Sequence, residues 1–269
     1  MDTPAPAVRG KRPPVGEPVI DRALGLLGAF DPDHRRLTLS ELGRRAGLPL
    51  STARRQAERL VAWGALERTA AGEYVVGLRL WEIASLAPRA VGLREVARPF
   101  MEDLYEATRH HVLLAVLDGD DALLVERRSS SRAVTVAYQV GERLPLHCTG
   151  VGLVLLAHAS SELQARVCAG EVGVTPTAPA PDPARLRQSL QRIRHTGVAV
   201  LAREFPAPVV SVAAALRGEG DRVVAALSIV VPAGGASFRM VEPAVRAAAR
   251  AVSRGIGAPG AGRERLTAH

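Results

Sequence analysis

Apolar residues along this chain recur first at helical spacing and later in alternating or continuous short runs, and each change of period marks an element. Within residues 38–76, Thr38 and Glu41 have the spacing of a capping box, which starts a helix. Gly47 ends that helix, and Leu48-Pro49 turns the chain. Ser51-Thr52 opens a second helix, whose apolar positions Ala53, Ala57, Leu60 and Val61 share one face. The other face carries Ser51, Thr52, Arg54, Arg55, Glu58 and Arg59. Gly64 stops the helix, Leu66-Glu67-Arg68 begins a strand, Ala71-Gly72 makes a tight turn, and Tyr74-Val75-Val76 returns. Helix, turn, helix and hairpin in that order predict a winged helix-turn-helix: one helix braces, the next enters the major groove, and the hairpin reaches flanking backbone. Thr38, Ser51, Thr52, Arg54, Arg55 and Arg59 are the candidate DNA contacts.

Upstream, Ile20, Ala23, Leu24, Leu27 and Phe30 follow i, i+3, i+4, i+7 and predict a first helix packing under the other two. Downstream, residues 78–86 form a short linker helix limited by Pro88, and a long helix follows from Leu93. Then the period shortens. Residues 112–117 and 122–125 read as a hairpin around Asp118-Gly119-Asp120, and 133–138 as a further strand. Helices are predicted over 151–159, from Ser161 and over 184–195, strands over 198–202, 209–216 and 223–230, and a closing helix over 238–253. The fold class is α+β: a winged helix-turn-helix (17–78), a linker helix (79–92) and a mixed α/β sensor-like domain (93–254). Residues 1–16, rich in Pro and Ala, and 255–269 read as a disordered leader and tail.

The chain has 269 residues, a length suited to two domains, and 47% of them are apolar, enough for real cores. Its net charge of +8 favours a polyanionic partner. Lys11 is the only lysine, so that charge rests on arginine, the better residue for bidentate contacts to phosphate or guanine. Two cysteines, Cys148 and Cys168, are too few for a disulfide framework. No signal peptide opens the chain and no apolar run reaches the ~18 residues of a membrane span, so a cytoplasmic protein without a membrane partner is expected.

Three segments in order resemble the IclR family of bacterial transcriptional regulators. The first is Leu48-Pro49-Leu50-Ser51-Thr52-Ala53-Arg54-Arg55, followed by Leu60, Gly64 and Leu66. The second is Gly141-Glu142-Arg143-Leu144-Pro145-Leu146-His147-Cys148-Thr149-Gly150-Val151-Gly152. The third is Gly197-Val198-Ala199 with Glu204, then Ser211-Val212-Ala213-Ala214-Ala215-Leu216. The resemblance implies a GAF-like effector-binding domain, a homodimer or dimer of dimers, and pseudo-palindromic promoter DNA as partner. It places the effector pocket on Leu146, Gly150, Val151, Leu201, Ser211, Ser228 and Val230. Leu201 and Ser211 replace the Asp or Ser and the Cys common in the family, and Val230 replaces a hydroxyl. Fewer polar anchors imply an effector more apolar than a small organic acid.

Other chemistry finds little support. The internal histidines of the second domain, His110, His111, His147, His158 and His195, lack zinc spacing with Cys or carboxylates. Neighbours such as His147 and Cys148 on an extended segment point to opposite faces. The acidic turn at Asp118 lacks the later ligands of a calcium loop. There is no Gly-rich phosphate loop, nucleophile elbow or spaced carboxylate pair, so neither enzyme activity nor a metal or cofactor is expected. Two functions remain: a regulator whose operator affinity an effector modulates, or a DNA-binding regulator whose C-terminal domain serves oligomerisation alone.

Overall fold

A computed structural model describes residues 18–129, 138–203, 208–233 and 237–257, with the side chains of 88–91 and 237–239 left aside. The leader, most of the tail, Glu204 and the strand expected at 133–138, Tyr138 apart, lie outside the described residues. Two compact units divide between Ala87 and Pro88.

The first unit runs α1 (Val19–Leu27), α2 (Leu39–Arg45), α3 (Leu50–Trp63), β1 (Leu66–Arg68), β2 (Tyr74–Val76) and α4 (Leu78–Ala84). Leu26, Leu37, Leu42, Ala53, Ala57, Leu66 and Tyr74 form its core. The capping box closes as the spacing requires: the Glu41 amide donates to Thr38 Oγ1 at 3.3 Å, and the Thr38 amide donates to Glu41 Oε2 at 2.8 Å. The antiparallel wing pairs Leu66 with Val76 and Arg68 with Tyr74, and Tyr74 also bridges to Leu37. Gly64 ends α3 at φ +89°, a conformation in which a β-carbon clashes with backbone.

The stripe expected to bury α1 does not. Leu26, off that stripe, is fully buried, while Ile20 stays 71% exposed and Leu24 is exposed too. Only the last turn of α1 meets the core, through Leu26 with Leu27 and Phe30 beside it. The regular spacing of the earlier apolar residues forms a face the unit itself leaves open.

In the second unit, α5 (Pro88–Thr108) begins at Pro88 rather than Leu93, since a proline at the first helical position costs no backbone bond. There follow β3 (His111–Asp118), β4 (Asp121–Arg128), β5 (Arg143–Pro145), α6 (Gly150–Ala157), α7 (Ser161–Cys168), α8 (Pro183–Thr196), β6 (Val198–Arg203), β7 (Val209–Arg217), β8 (Val223–Pro232) and α9 (Ser237–Gly255). The strands form one antiparallel sheet in the order β5-β4-β3-β8-β7-β6. Its short edge strand β5 was not expected from the sequence.

The sheet is covered on both faces. Val112, Leu114, Val212, Leu227 and Ile229 pack on α5 and α9. Leu113, Ala115, Ala213, Ala226 and Val230 meet α6, α7 and α8. Burial on both faces is why the central strands read as continuous apolar runs rather than alternating ones. Helix α6 is buried along its whole length, as an all-round apolar helix must be.

Candidate functional site

Helix α3 is built to present its first turn. Pro49 occupies the N-cap and offers no side-chain acceptor, so Leu50, Ser51 and Thr52 are its first three residues with no side-chain cap on their amides. Ser51 therefore lies inside the first turn rather than capping it. Those amides and the helix dipole favour an anion. Ala53, Gln56 and Ala57 face the core, leaving Ser51, Arg54, Arg55, Glu58 and Arg59 exposed and Thr52 half-buried. Among the described residues, Arg54, Arg55 and Arg59 form no ion pair.

Two further arginines of this unit are held in place. Arg45 is held by Asp31 and by the Ala29 carbonyl. At the wing, Arg68 lies 5.9 Å from the centre of the Tyr74 ring and its Nε donates to the Gly72 carbonyl at 3.3 Å. The helical periodicity passed over Arg68, because its position depends on a hairpin. Thr38 is engaged elsewhere: its Oγ1 donates to Glu41 Oε2 at 2.8 Å, so its hydroxyl belongs to the cap of α2.

In the second unit, a cavity of about 300 Å³ lies among β3, β6, β7, β8, the first turn of α6 and the loop at residues 175–178. Gly150, Val151, Leu201, Ser211, Ser228 and Val230 all line it. Leu146 does not. It is fully buried in the core beneath α6, because the turn before that helix points its side chain inward. The contact of α6 with β7 demands glycine: a β-carbon at Gly150 stands 2.2 Å from Ser211 Oγ.

The cavity also holds residues the sequence did not single out. Arg203 Nη1 donates to the Tyr138 hydroxyl at 2.6 Å, and both residues line the wall. Burial pushes the Tyr138 hydroxyl above its usual pKa, although Arg203 opposes the shift. Arg203 forms no ion pair among the described residues. Arg143, a second cation at the rim, is spent on Asp118 at 2.5 Å. Ser228 is 0% exposed, and its Oγ has no hydrogen-bond partner among the described residues. Burial raises the Cys148 thiol above its usual pKa, with Arg203 again opposing. A strand signal for Arg203 did exist: it stands two residues beyond Leu201 and so shares its face. Tyr138 carries no such signal.

His147 points away from this wall. Its Nε2 donates to the Pro179 carbonyl at 2.9 Å, tying the loop after α7 to the turn before α6. Among the described residues, no three His, Cys, Asp or Glu side chains gather as a metal site, and no helix is long and apolar enough to cross a membrane.

Comparison with known proteins matches both units in order. The IclR helix-turn-helix domain matches residues 19–70, and the bacterial transcriptional regulator IclR C-terminal domain matches residues 87–254. The chain is 33% identical to the HTH-type transcriptional regulator Rv1719 of Mycobacterium tuberculosis, over 81% of this chain and 83% of that protein. It is 26% identical to the transcriptional repressor IclR of Escherichia coli, over 86% and 89% of the two chains. Among solved structures, an IclR homolog from Microbacterium hydrocarbonoxydans, complexed with 4-hydroxybenzoate, is 36% identical and superposes with a TM-score of 0.82, covering 89% of this chain and 99% of that one. An open-ended, uncapped helix with exposed arginines, a wing beside it and a two-faced sheet enclosing a cavity thus coincide with family matches to each unit, and the chain belongs to the IclR family of DNA-binding transcriptional regulators.

Proposed function

We propose that operator binding by this regulator is modulated by an aromatic, or otherwise largely apolar, carboxylic acid held in the Arg203 cavity. The observation behind this reading is a guanidinium and a Ser228 hydroxyl that, among the described residues, have no ion pair and no hydrogen-bond partner respectively, inside walls of Leu113, Leu144, Val151, Leu201, Val209 and Val230 with the Glu142 carboxylate also in the lining. Apolar walls take a ring, Arg203 takes the carboxylate, and Ser228 gains a partner. A homolog complexed with 4-hydroxybenzoate supports the same chemistry. The sequence-based expectation of an apolar effector is thereby narrowed to one with an acidic end.

On DNA, Ser51 and Thr52 contact phosphates, Arg55 reads a base edge, and Arg54 and Arg59 sit nearer the backbone. The protein acts as a homodimer or dimer of dimers on half-sites about 34 Å apart or a multiple of that. Supporting this, Ile20, Leu24, Trp81 and Ile83 stand exposed on the first unit, with Trp81 at 61%, more apolar surface than a lone chain keeps in water. An effector changes DNA affinity only by favouring one arrangement of the paired DNA-binding units over another. Its place of work in this reading is the cytoplasm, with promoter DNA.

The test is a titration of operator, selected from random DNA by the protein itself, with and without 4-hydroxybenzoate and its methyl ester. The acid shifts operator affinity by roughly 5-fold or more, and the ester does not. If no aromatic acid raises the melting temperature or shifts operator affinity, the C-terminal unit serves oligomerisation alone.

A further inference from the structure

A second cavity, of about 370 Å³, opens on the α9 face of the sheet, away from Arg203. Its floor is small: Gly197, Val198, Ala214, Ala215 and Ala249 leave the space open. Its walls are basic. Arg217, Arg246, Arg250 and Arg254 line it, set against two carboxylates, Asp221 in the lining and Glu242 on Arg246.

Two of the four arginines are fixed. Arg217 Nη1 donates to the Asp221 carbonyl at 2.9 Å and to its carboxylate at 3.0 Å, and the Arg217 amide donates to Ser253 Oγ at 2.9 Å. Asp221 itself adopts φ +59°, a left-handed conformation uncommon outside glycine, which closes this turn. Arg246 is held by Glu242 at 2.9 Å and by the Thr196 carbonyl at 2.6 Å. The other two, Arg250 and Arg254, are exposed and have no hydrogen bond or ion pair among the described residues.

Arg246, Arg250 and Arg254 follow i, i+4, i+8, so three like charges stack on one helix face. Such spacing disfavours a helix. The helix dipole compensates at Arg254, in the last turn, but its influence does not reach the turns of Arg246 and Arg250. The local field extends to the neighbouring His158, held below its usual pKa chiefly by burial and then by Arg217 and Arg194.

We propose that this cavity is a binding site for a small polyanion bearing phosphate groups. Arg250 and Arg254 supply the forks for the phosphate oxygens, while Arg217 and Arg246, already paired with Asp221 and Glu242, frame the cavity. Guanidinium forks match tetrahedral oxyanions with two parallel hydrogen bonds.

The experiment uses the full chain and inorganic pyrophosphate, at ionic strength fixed with potassium chloride. Pyrophosphate raises the melting temperature saturably, by roughly 5–10 °C at a hundredfold excess over its dissociation constant. The double variant Arg250→Ala/Arg254→Ala melts within roughly 2 °C of wild type without pyrophosphate, since both side chains are exposed, and it loses the rise. Arg250→Lys/Arg254→Lys keeps part of it. 4-Hydroxybenzoate binding is unchanged in both variants, because Arg203 lies at the other cavity, so failure here is separate from failure of the effector reading. No saturable rise in wild type overturns the proposal, and so does an equal rise in the alanine variant, which marks general exclusion of the anion from the surface. Citrate stabilising as well as pyrophosphate overturns the phosphate assignment. Loss of operator affinity in the alanine variant, with no pyrophosphate effect in wild type, reassigns the arginines to DNA backbone.

Discussion

Leu201→Asp probes the charge that the cavity beside α6 places at Arg203. Residues 201 and 203 lie two apart on β6 and both line the cavity, which sets their side chains roughly 6.5–7 Å apart on one face. At an effective dielectric of about 20, opposite unit charges at that separation attract by roughly 2.5 kcal/mol. The new carboxylate therefore has a partner. An incoming ligand carboxylate loses a comparable amount, so affinity for 4-hydroxybenzoate falls about 70-fold. Stability changes less: removing half-buried Leu201 costs about 1 kcal/mol of apolar burial, or roughly 2–4 °C in a unit of this size. Leu201→Asn removes the same apolar surface without the charge and weakens the ligand by less than about 10-fold. Calorimetric titration and thermal melting on the three proteins separate these effects. A Leu201→Asp protein that binds 4-hydroxybenzoate within about threefold of wild type refutes the role of Arg203. Melting lower by roughly 10 °C or more shows that the carboxylate is buried without a partner, and the cavity is then not the open, cationic site described.

Four further outcomes follow from the same structure. Arg55→Ala costs roughly 1–3 kcal/mol on the selected operator and much less on random DNA, and equal losses on both place Arg55 on phosphate instead. Gly64→Ala forces a β-carbon into φ +89° and to 3.3 Å from the Arg79 side chain, destabilising the first unit by roughly 1–2 kcal/mol in chemical denaturation; an unchanged midpoint removes the left-handed stop from the account of α3. Burial raises the Glu126 pKa, but hydrogen bonds from Arg94 and the charge of Arg128 outweigh it and hold the carboxyl below its usual value. Its stabilising contribution is thus present above the unfolded-state pKa and lost as pH falls through the lower folded value, so Glu126→Gln flattens the acid limb of a stability profile below about pH 4.5. If the proposed self-association uses α4, Trp81→Ser weakens it in sedimentation while the single chain still folds, since Trp81 is exposed; no change in association excludes α4 from a contact between copies.

Where the sequence reading and the structure part company, the dividing line is distance along the chain. Thr38 and Glu41 sit three residues apart, and their mutual hydrogen bonds form as their spacing requires. The apolar stripe of α1 was equally legible as a period, but a period does not say which turn meets a neighbour, and Leu26 took the buried place. The cavity divides the same way. The resemblance to family motifs placed Gly150, Val151, Leu201, Ser211, Ser228 and Val230 around one space, yet it also named Leu146, which the turn before α6 points into the core.

By itself the sequence determined the winged helix, most of the strands and helices beyond it though not the edge strand β5, and the arginines on the outer face of α3. Capping, turn and periodicity signals act within one or two turns of chain, so residue identity is enough to set them. Only the tertiary structure decided what the cavities contain. Tyr138 meets Arg203 across 65 residues, and Arg217 meets Ser253 across 36. Such pairs exist because β6, β7 and α9 pack on one sheet, and no local spacing encodes which polar groups that packing leaves without partners. The charge of the Arg203 cavity and the cluster of arginines beside α9 are products of that packing.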